Sequence, residues 1–343
     1  MPFRPKPLSE QVLVITGATS GIGLSTARAA ARRGARLVLC ARSAQALETL
    51  CAELRARGCE AVGVAADVGS RKDMEDLAAR AHERFGRVDA WINNAGAGIF
   101  GRVTEVSPAD RARLFDTVYW GVVHGSLAAM PLLKAQGGIL INVGSAFADR
   151  AAPLHGYYSA AKHAVKAWTE ALRMELEQAG EAVEVCLVTP AAIDTMFSVH
   201  ARNYLDRIPK LPPPQYAPET VARAILFLTE HPRREMRVGS TARMLAIGSR
   251  LSPRLVDRMM ELLMFRLQKT SMPASSGGPD ALYQPRDELQ ERSGRTALVR
   301  EYSFYNAIAR HRGAALLAGA ALIGGSLWAA RRRRLPVPSA GIQ

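Results

Sequence analysis

The sequence predicts an α/β protein of the Rossmann type, a doubly wound parallel sheet with a helical C-terminal extension. Short apolar runs alternate with helical stretches through the first 190 residues. These runs are continuously apolar, which indicates strands that are buried on both faces. A glycine-rich turn joins the first run to the first helix.

The elements follow one another in a regular order. Strands are predicted within 12–23 (which runs into the glycine-rich turn), 35–42, 60–68, 88–96, 137–145 and 182–190. Helices are predicted between them, including 44–57, 73–85 and 158–178, and beyond the last strand at 218–230 and 253–268. Several of the helices stop at a glycine, which is a common C-terminal residue.

The composition narrows the classes of function. The chain has 343 residues, a net charge of +14 and four cysteines with no CxxC pair. A disulfide scaffold and a zinc ribbon are therefore not expected, and no metal site is predicted. The positive charge is compatible with nucleic acid, an anionic cofactor or an anionic membrane surface.

The turn after the first strand has the composition of a phosphate-binding loop. Its residues are Gly17, Ala18, Thr19, Ser20, Gly21, Ile22 and Gly23. Glycines allow a tight turn and a close backbone approach to a pyrophosphate, and the helix that follows offers free N–H groups. We predict that this turn binds a dinucleotide.

The end of the second strand indicates which dinucleotide. An acidic residue there usually accepts hydrogen bonds from a free ribose 2′-hydroxyl, but this chain has Arg42. An arginine can pair with a 2′-phosphate instead. NADP(H) is therefore the predicted cofactor, although a solvated Arg42 or use of both cofactors remains open.

Tyr158 and Lys162 are four residues apart on a predicted helix, so their side chains share one face. A phenol is a poor acid or base at neutral pH, and a neighbouring ammonium lowers its pKa. Ser145 ends the fifth strand, where its hydroxyl could hydrogen-bond a carbonyl oxygen. We predict that these three residues are catalytic.

Taken together, the motifs resemble those of the short-chain dehydrogenase/reductase family. The resemblance covers roughly residues 8–239 and includes TGATSGIG, NNAG, Ser145 and YSAAK in the family's order and spacing. It implies a nicotinamide cofactor, with Tyr158 as the proton donor to a carbonyl. It also implies further cofactor-binding residues: Asp67 and Val68 at the adenine, Asn94, Ala95 and Gly96 in the cleft, and Pro190, Ile193 and Thr195 near the nicotinamide.

Two positions depart from the family pattern. Val118 replaces an asparagine that typically helps to hold a water behind the lysine, and Ala191 replaces a glycine. The C-terminal extension also exceeds the usual family length and is similar to the tail of a bacterial subgroup. The family's habit implies a homo-oligomer.

The predicted organisation has five parts. They are an N-terminal tail (1–9), the NADP-binding catalytic domain (10–240), an amphipathic helical extension (241–270), a linker (271–300) and a C-terminal tail (301–343). The amphipathic helix at 253–268 is expected to pack on the sheet domain. The alternative is a methionine-rich flap over an apolar substrate pocket or a membrane-contacting face.

The tail holds much of the excess charge. Residues 281–343 carry +6, and basic clusters flank an uncharged stretch at 313–330. Eighteen residues as a helix would span about 27 Å, close to the thickness of a bilayer core. We expect a transmembrane helix there, with a cytoplasmic catalytic domain because the N-terminus lacks an apolar signal segment. The alternative is a C-terminal helix packed on the protein.

The function predicted from these features is NADP(H)-dependent interconversion of a ketone or aldehyde and an alcohol. Phe147, Leu154, Met196 and Phe197 suggest an apolar or lipid-like substrate. The alternative is a catalytically weak or silent NADP-binding scaffold at the membrane, which Val118 favours. Nucleic-acid binding is not expected, because the arginine run lacks interleaved aromatic residues.

Overall fold

The computed structural model describes residues 4–274, 280–295 and 298–303. The chain divides into two compact units, Met1–Ser303 and Phe304–Gln343. The second unit lies outside the described residues, and so does the predicted helix at 313–330.

The strands are numbered along the chain. They are β1 (Val12–Thr16), β2 (Arg36–Ala41), β3 (Ala61–Ala65), β4 (Ala90–Asn93), β5 (Ile99–Phe100), β6 (Gly138–Val143), β7 (Val183–Pro190), β8 (Arg202–Asn203), β9 (Arg207–Pro209), β10 (Gln215–Tyr216), β11 (Glu235–Val238), β12 (Lys269–Pro273) and β13 (Val299–Arg300).

The α-helices are numbered in the same way. They are α1 (Gly21–Ala31), α2 (Ala44–Ala56), α3 (Arg71–Phe85), α4 (Pro108–Phe115), α5 (Gly121–Gln136), α6 (Gly156–Gln178), α7 (Phe197–His200), α8 (Pro218–Glu230), α9 (Ser240–Leu251) and α10 (Pro253–Leu267). Short 3₁₀ turns occupy Leu8–Glu10 and Ala146–Ala148, and a π-helical turn, Asp116–Trp120, joins α4 to α5.

Seven strands form one parallel sheet in the order β3-β2-β1-β4-β6-β7-β11. All five residues of β1 are buried, as expected for a strand that is covered by helices on both faces. The Rossmann-type fold predicted from the sequence is confirmed. The strand order reverses between β1 and β4, and in such sheets a ligand binds in the crevice at the carboxyl ends of the strands.

Serine N-caps begin three of the helices that flank the sheet. The side chains of Ser43, Ser70 and Ser107 each accept a hydrogen bond from the backbone N–H three residues later. This contact satisfies one of the free donors of the first turn and fixes where the helix starts. The sheet edge strand β11 was not predicted, because its four residues include two charged ones and show no apolar run.

The helical extension is a pair of helices, α9 and α10, with one shared apolar face. Val256, Met260 and Met264 of α10 are buried and pack with Leu245 and Leu267. Their spacing of four residues places them on one side of the helix.

The predicted transmembrane helix requires a correction. No helix in the described part of the chain is long and apolar enough to cross a membrane. The apolar-faced helices α9 and α10 have 12 and 15 residues, whereas a bilayer core requires about 20 apolar ones. The longest described helix, α6, has 23 residues but carries charged side chains throughout. The transmembrane assignment is therefore withdrawn.

Candidate active site

One cavity of about 660 Å³ opens at the carboxyl ends of the central strands and collects almost all of the predicted site residues. The lining includes Gly17, Thr19, Ser20, Gly21, Ile22, Arg42, Asp67, Val68, Asn94, Ala95, Gly96, Ser145, Tyr158, Lys162, Pro190, Ile193 and Thr195. Two predicted residues lie behind the surface of the cavity. Ala18 is fully buried in the core, and Gly23 packs against the turn itself.

The floor of the cavity is the turn between β1 and α1. A Cβ on Gly23 would lie 2.0 Å from the carbonyl oxygen of Gly17, so only glycine fits there. Gly17 has φ +65°, and it packs so closely on Ala95 that an added Cβ would lie 2.8 Å from the Ala95 Cα. This tight packing brings the N-terminus of α1 to the cavity surface at Gly21 and Ile22.

Thr16 holds the turn against the loop after β4. Its hydroxyl accepts hydrogen bonds from the backbone N–H groups of Asn94 (3.0 Å) and Ala95 (3.1 Å). The Asn94 amide in turn donates to the carbonyl oxygens of Thr16 and Gly17. The TGATSGIG motif does not reveal this role of Thr16, because it depends on contacts between separate strands.

Asp67 and Arg42 stand at the outer end of the cavity. The Asp67 carboxylate accepts hydrogen bonds from Arg113 (2.5 Å) and from the backbone N–H of Gly69 (2.9 Å). Burial opposes its ionisation, but these contacts outweigh it and lower the pKa of Asp67. The guanidinium of Arg42 donates to the carbonyl oxygens of Ala281, Leu282 and Tyr283.

Ser145, Tyr158 and Lys162 meet in the middle of the cavity. Ser145 lies two residues beyond β6, where it caps the 3₁₀ turn Ala146–Ala148. Ser145 and Tyr158 both line the cavity, and the Ser145 hydroxyl lies close enough to the phenol to act on its pKa. Lys162 is buried, and its Nζ donates a hydrogen bond to the carbonyl oxygen of Val143 at 2.7 Å.

Burial dominates the electrostatics of Tyr158 and Lys162. It raises the pKa of Tyr158 to about 12, against a smaller lowering by the Ser145 hydroxyl. It lowers the pKa of Lys162 to about 8. The sequence predicted that Lys162 would lower the pKa of Tyr158, but in this geometry desolvation is the larger effect. Tyr158 is therefore protonated at neutral pH, the form that can donate a proton.

The π-helical turn Asp116–Trp120 contains Val118, the residue that replaces the family's usual asparagine. Val118 is fully buried in an apolar cluster with Leu114, Ala161 and Leu282. Its neighbour Thr117 lines the cavity, and the Thr117 hydroxyl is buried with no hydrogen-bond partner among the described residues. The sequence analysis missed Thr117, because helical periodicity does not reveal a π turn.

The inner end of the cavity is aromatic and apolar. The rings of Tyr158 and Phe197 meet edge to face, with their centres 5.1 Å apart. The centre of the His155 ring lies 5.5 Å from that of Phe147 and 5.9 Å from that of Tyr158. Burial lowers the pKa of His155 to about 4, so it is neutral at physiological pH. Side chains from α9 and α10 form an apolar wall of the cavity: Met244, Leu245, Leu255, Val256, Met259, Met260, Leu263, Met264 and Leu267.

The cavity therefore fits a nicotinamide dinucleotide. It combines a glycine turn that no larger residue could form, the backbone of a helix N-terminus at its surface and a size within the usual range for ligand sites. The same cavity is lined by a serine, a tyrosine and a buried lysine. A dinucleotide-binding fold with this site defines an oxidoreductase that acts on alcohols or carbonyl compounds.

Comparisons with known proteins agree with this class. The family model described as short chain dehydrogenase matches residues 11–204. The chain is 42% identical over 331 residues to the uncharacterized oxidoreductase YxnA of Bacillus subtilis, a match that covers 96% of this chain and 92% of that protein. The chain belongs to the short-chain dehydrogenase/reductase family.

Solved structures share the fold. One is a short-chain dehydrogenase/reductase from Burkholderia phymatum in complex with NAD, with 29% identity, a TM-score of 0.64, and coverage of 79% of this chain and 99% of that one. Another is an alcohol dehydrogenase from Thermococcus sibiricus complexed with 5-hydroxy-NADP, with 30% identity, a TM-score of 0.59, and coverage of 66% and 95%. Both NAD and NADP thus occur among similar structures.

Proposed function

We propose that the protein is an NADP(H)-dependent oxidoreductase that interconverts a ketone or aldehyde and an alcohol on an apolar, lipid-like substrate. The observation that carries the proposal is that Ser145, Tyr158 and Lys162 line the same cavity as the glycine turn. When bound, the nicotinamide supplies or accepts the hydride.

Three side chains of the protein donate the proton, stabilise the oxygen and bind the ribose. Tyr158, protonated at neutral pH, donates its phenolic proton to the oxygen of the reduced carbonyl. Ser145 donates a hydrogen bond to the same oxygen and so stabilises the charge that develops there. Lys162 Nζ makes one hydrogen bond with a described residue, to Val143, and its remaining N–H groups are available to a ribose.

The preference for NADP(H) rests on the end of β2. Arg42 occupies the place of the usual acidic residue and lines the cavity. Its hydrogen bonds to three carbonyl oxygens use three of its five N–H groups, which leaves two for a 2′-phosphate. The glycine turn and Lys162 would bind NAD as well as NADP. Arg42 is therefore the residue that supports a preference for NADP(H) over NAD(H).

The wall formed by α9 and α10 supports an apolar substrate. Met260 and Met264 are buried in it, whereas Leu255 and Leu263 stay partly exposed although they line the cavity. Methionine and leucine side chains offer no fixed hydrogen-bonding pattern and adapt to varied apolar shapes. A ketone or aldehyde with a long hydrocarbon part would cover this surface and gain about 25 cal/mol per Å² buried.

A screen of NADPH oxidation tests the proposal. Straight-chain and aromatic ketones and aldehydes of increasing length would be offered to the protein, and to Tyr158→Phe as the control for enzyme-independent oxidation. We expect turnover that rises with the length of the apolar part and disappears in the control. Turnover restricted to small polar carbonyl compounds would contradict the substrate class. NADPH binding with no turnover on any substrate would favour a dinucleotide-binding scaffold, which the apolar surroundings of Val118 also suggest.

A further inference from the structure

Residues 280–295 fall within the predicted linker, but they pack along the length of the cavity; we call them the strap. At its first residues, Ala281, Leu282 and Tyr283 present their carbonyl oxygens to Arg42. The side chain of Leu282 is 1% exposed and packs in the cluster that contains Val118. The strap is therefore attached to the core at the outer end of the cavity.

The strap then crosses the glycine turn. The backbone N–H of Gly21, at the start of α1, donates to the carbonyl oxygen of Gln290 at 2.9 Å. The next side chain, Glu291, forms an ion pair with Arg28 at 2.8 Å and accepts a hydrogen bond from Ser25. Both partners lie on α1, so this part of the strap is held against the helix that follows the glycine turn.

The last part of the strap is attached beside the predicted nicotinamide end. Ser293 donates hydrogen bonds from its backbone N–H and its hydroxyl to the buried carboxylate of Asp194. Arg292 forms ion pairs with Glu219 (2.9 Å) and Glu301 (2.7 Å). Asp194 is flanked by Ile193 and Thr195, which both line the cavity.

The strap covers the cavity and does not fill it. The cavity of about 660 Å³ is present with the strap in place, and four strap residues line it: Ala281, Pro285, Arg286 and Glu288. The same cavity is lined by the glycine turn and by Asp67 and Val68. A ligand in this space would be bordered by both the turn and the strap.

We propose that the strap is a wall of the dinucleotide-binding site that holds the cofactor in the cleft and has to detach before the cofactor leaves. This inference rests on the proposed dinucleotide-binding function and adds to it a set of binding residues beyond the family-model region. The anchors at Glu291 and Ser293 do not line the cavity, so they act by keeping the strap closed. They are positioning residues, and their effect is the same for NADPH and NADH.

The test measures the rate of NADPH dissociation by stopped-flow fluorescence, with excess NADP⁺ as the chase. In Glu291→Gln/Ser293→Ala, which weakens charge-assisted anchors at two points, we expect dissociation about tenfold faster and a higher Kd. NADH dissociation should accelerate by a similar factor. The matched control is Glu83→Gln, which removes the charge of an exposed ion pair on α3 and should change neither rate.

The outcomes separate the strap from the proposed function. If the wild-type protein binds neither NADPH nor NADH, the proposed function fails and the inference fails with it. If wild-type binding is clear but the double variant dissociates at the wild-type rate, only the inference is overturned. Tighter binding by the double variant would mean that the strap competes with the cofactor, and it would also overturn the inference.

A second measurement needs no variant. Hydrogen–deuterium exchange of wild-type peptides that cover 281–292 should slow several-fold when NADPH saturates the protein, because an occupied cavity favours the closed strap. Exchange that NADPH leaves unchanged in these peptides, while it slows in the glycine turn, would contradict the proposal.

Discussion

The ammonium nitrogen of Lys162 lies 5.9 Å from the centre of the Tyr158 ring. It reaches this position because the two residues are one turn apart on α6, whose N-terminus faces the cavity. Burial keeps the phenol protonated and brings the lysine close to neutrality at moderately alkaline pH. The pair therefore responds to pH in a way that can be measured before any substrate is known.

Lys162 should make stability depend on pH above pH 8. The unfolded chain keeps the ordinary lysine pKa of 10.5, whereas the folded protein loses the proton near pH 8. Between these values the unfolded state binds more protons, so the free energy of unfolding rises with pH. From pH 7.5 to 9.5 we expect a gain of about 2 kcal/mol relative to Lys162→Met. Urea unfolding checks this, with Lys134→Met as an exposed-lysine control; parallel pH curves for wild type and Lys162→Met would refute it.

Gly23→Ala should abolish dinucleotide binding. The added Cβ would lie 2.0 Å from the Gly17 carbonyl oxygen and 2.6 Å from the Asn94 amide nitrogen, so the turn has to shift. We expect NADPH affinity to fall at least about a hundredfold and stability to fall by about 1–3 kcal/mol. The control is Gly58→Ala, where φ is +82° but no atom lies within 4 Å of the Cβ position. It should cost about 1 kcal/mol of stability and leave NADPH binding unchanged. Equal binding by both variants would contradict the role of the turn.

Arg42→Ala should change the choice of cofactor. Loss of a guanidinium that pairs with a 2′-phosphate should weaken NADP⁺ about tenfold or more. Loosening of the strap affects NAD⁺ as well, so the ratio of the two dissociation constants is the quantity to measure. We expect this ratio to move towards NAD⁺ in Arg42→Ala and to stay constant in the Glu291→Gln/Ser293→Ala variant. A constant ratio in Arg42→Ala would remove the support for NADP(H).

The wall of α9 and α10 should recognise the hydrocarbon part of the substrate. Leu263 lines the cavity and is 43% exposed, whereas its neighbour Leu262 is 74% exposed and does not line it. Leu263→Gln should lower kcat/KM for long-chain ketones about tenfold and have little effect on short ones, because only long chains reach the wall. Leu262→Gln should behave like the wild-type protein. Equal losses for short and long substrates would place the effect elsewhere.

Local sequence patterns predicted the fold, and they also named candidate residues that line one cavity. Ser145, Tyr158 and Lys162 were identifiable because helical spacing and strand ends are local properties, and the glycine turn because its residues are consecutive. The strap was not predictable. It has no apolar periodicity, and its contact between Arg42 and Leu282 joins residues that are 240 positions apart. The π-helical turn that places Thr117 at the cavity likewise depends on packing.

The sequence also did not predict what the apolar face of α10 packs against. The spacing of Val256, Met260 and Met264 predicted an apolar face, but packing on the sheet domain and lining a pocket were both compatible with it. In the structure this face contributes to the cavity wall. The prediction for 313–330 depended on the length of an uncharged stretch and on the basic clusters beside it, and those residues lie outside the described part of the chain.

Turnover by Tyr158→Phe tests the central claim most directly. The change removes one hydroxyl from the cavity and retains the ring that packs against Phe197. We predict that kcat for carbonyl reduction falls about 10²–10⁴-fold, because the proton donor is lost, while the Kd for NADPH stays within about twofold of the wild-type value. Wild-type turnover by Tyr158→Phe, with NADPH bound normally, would contradict the assignment of this site as the catalytic centre.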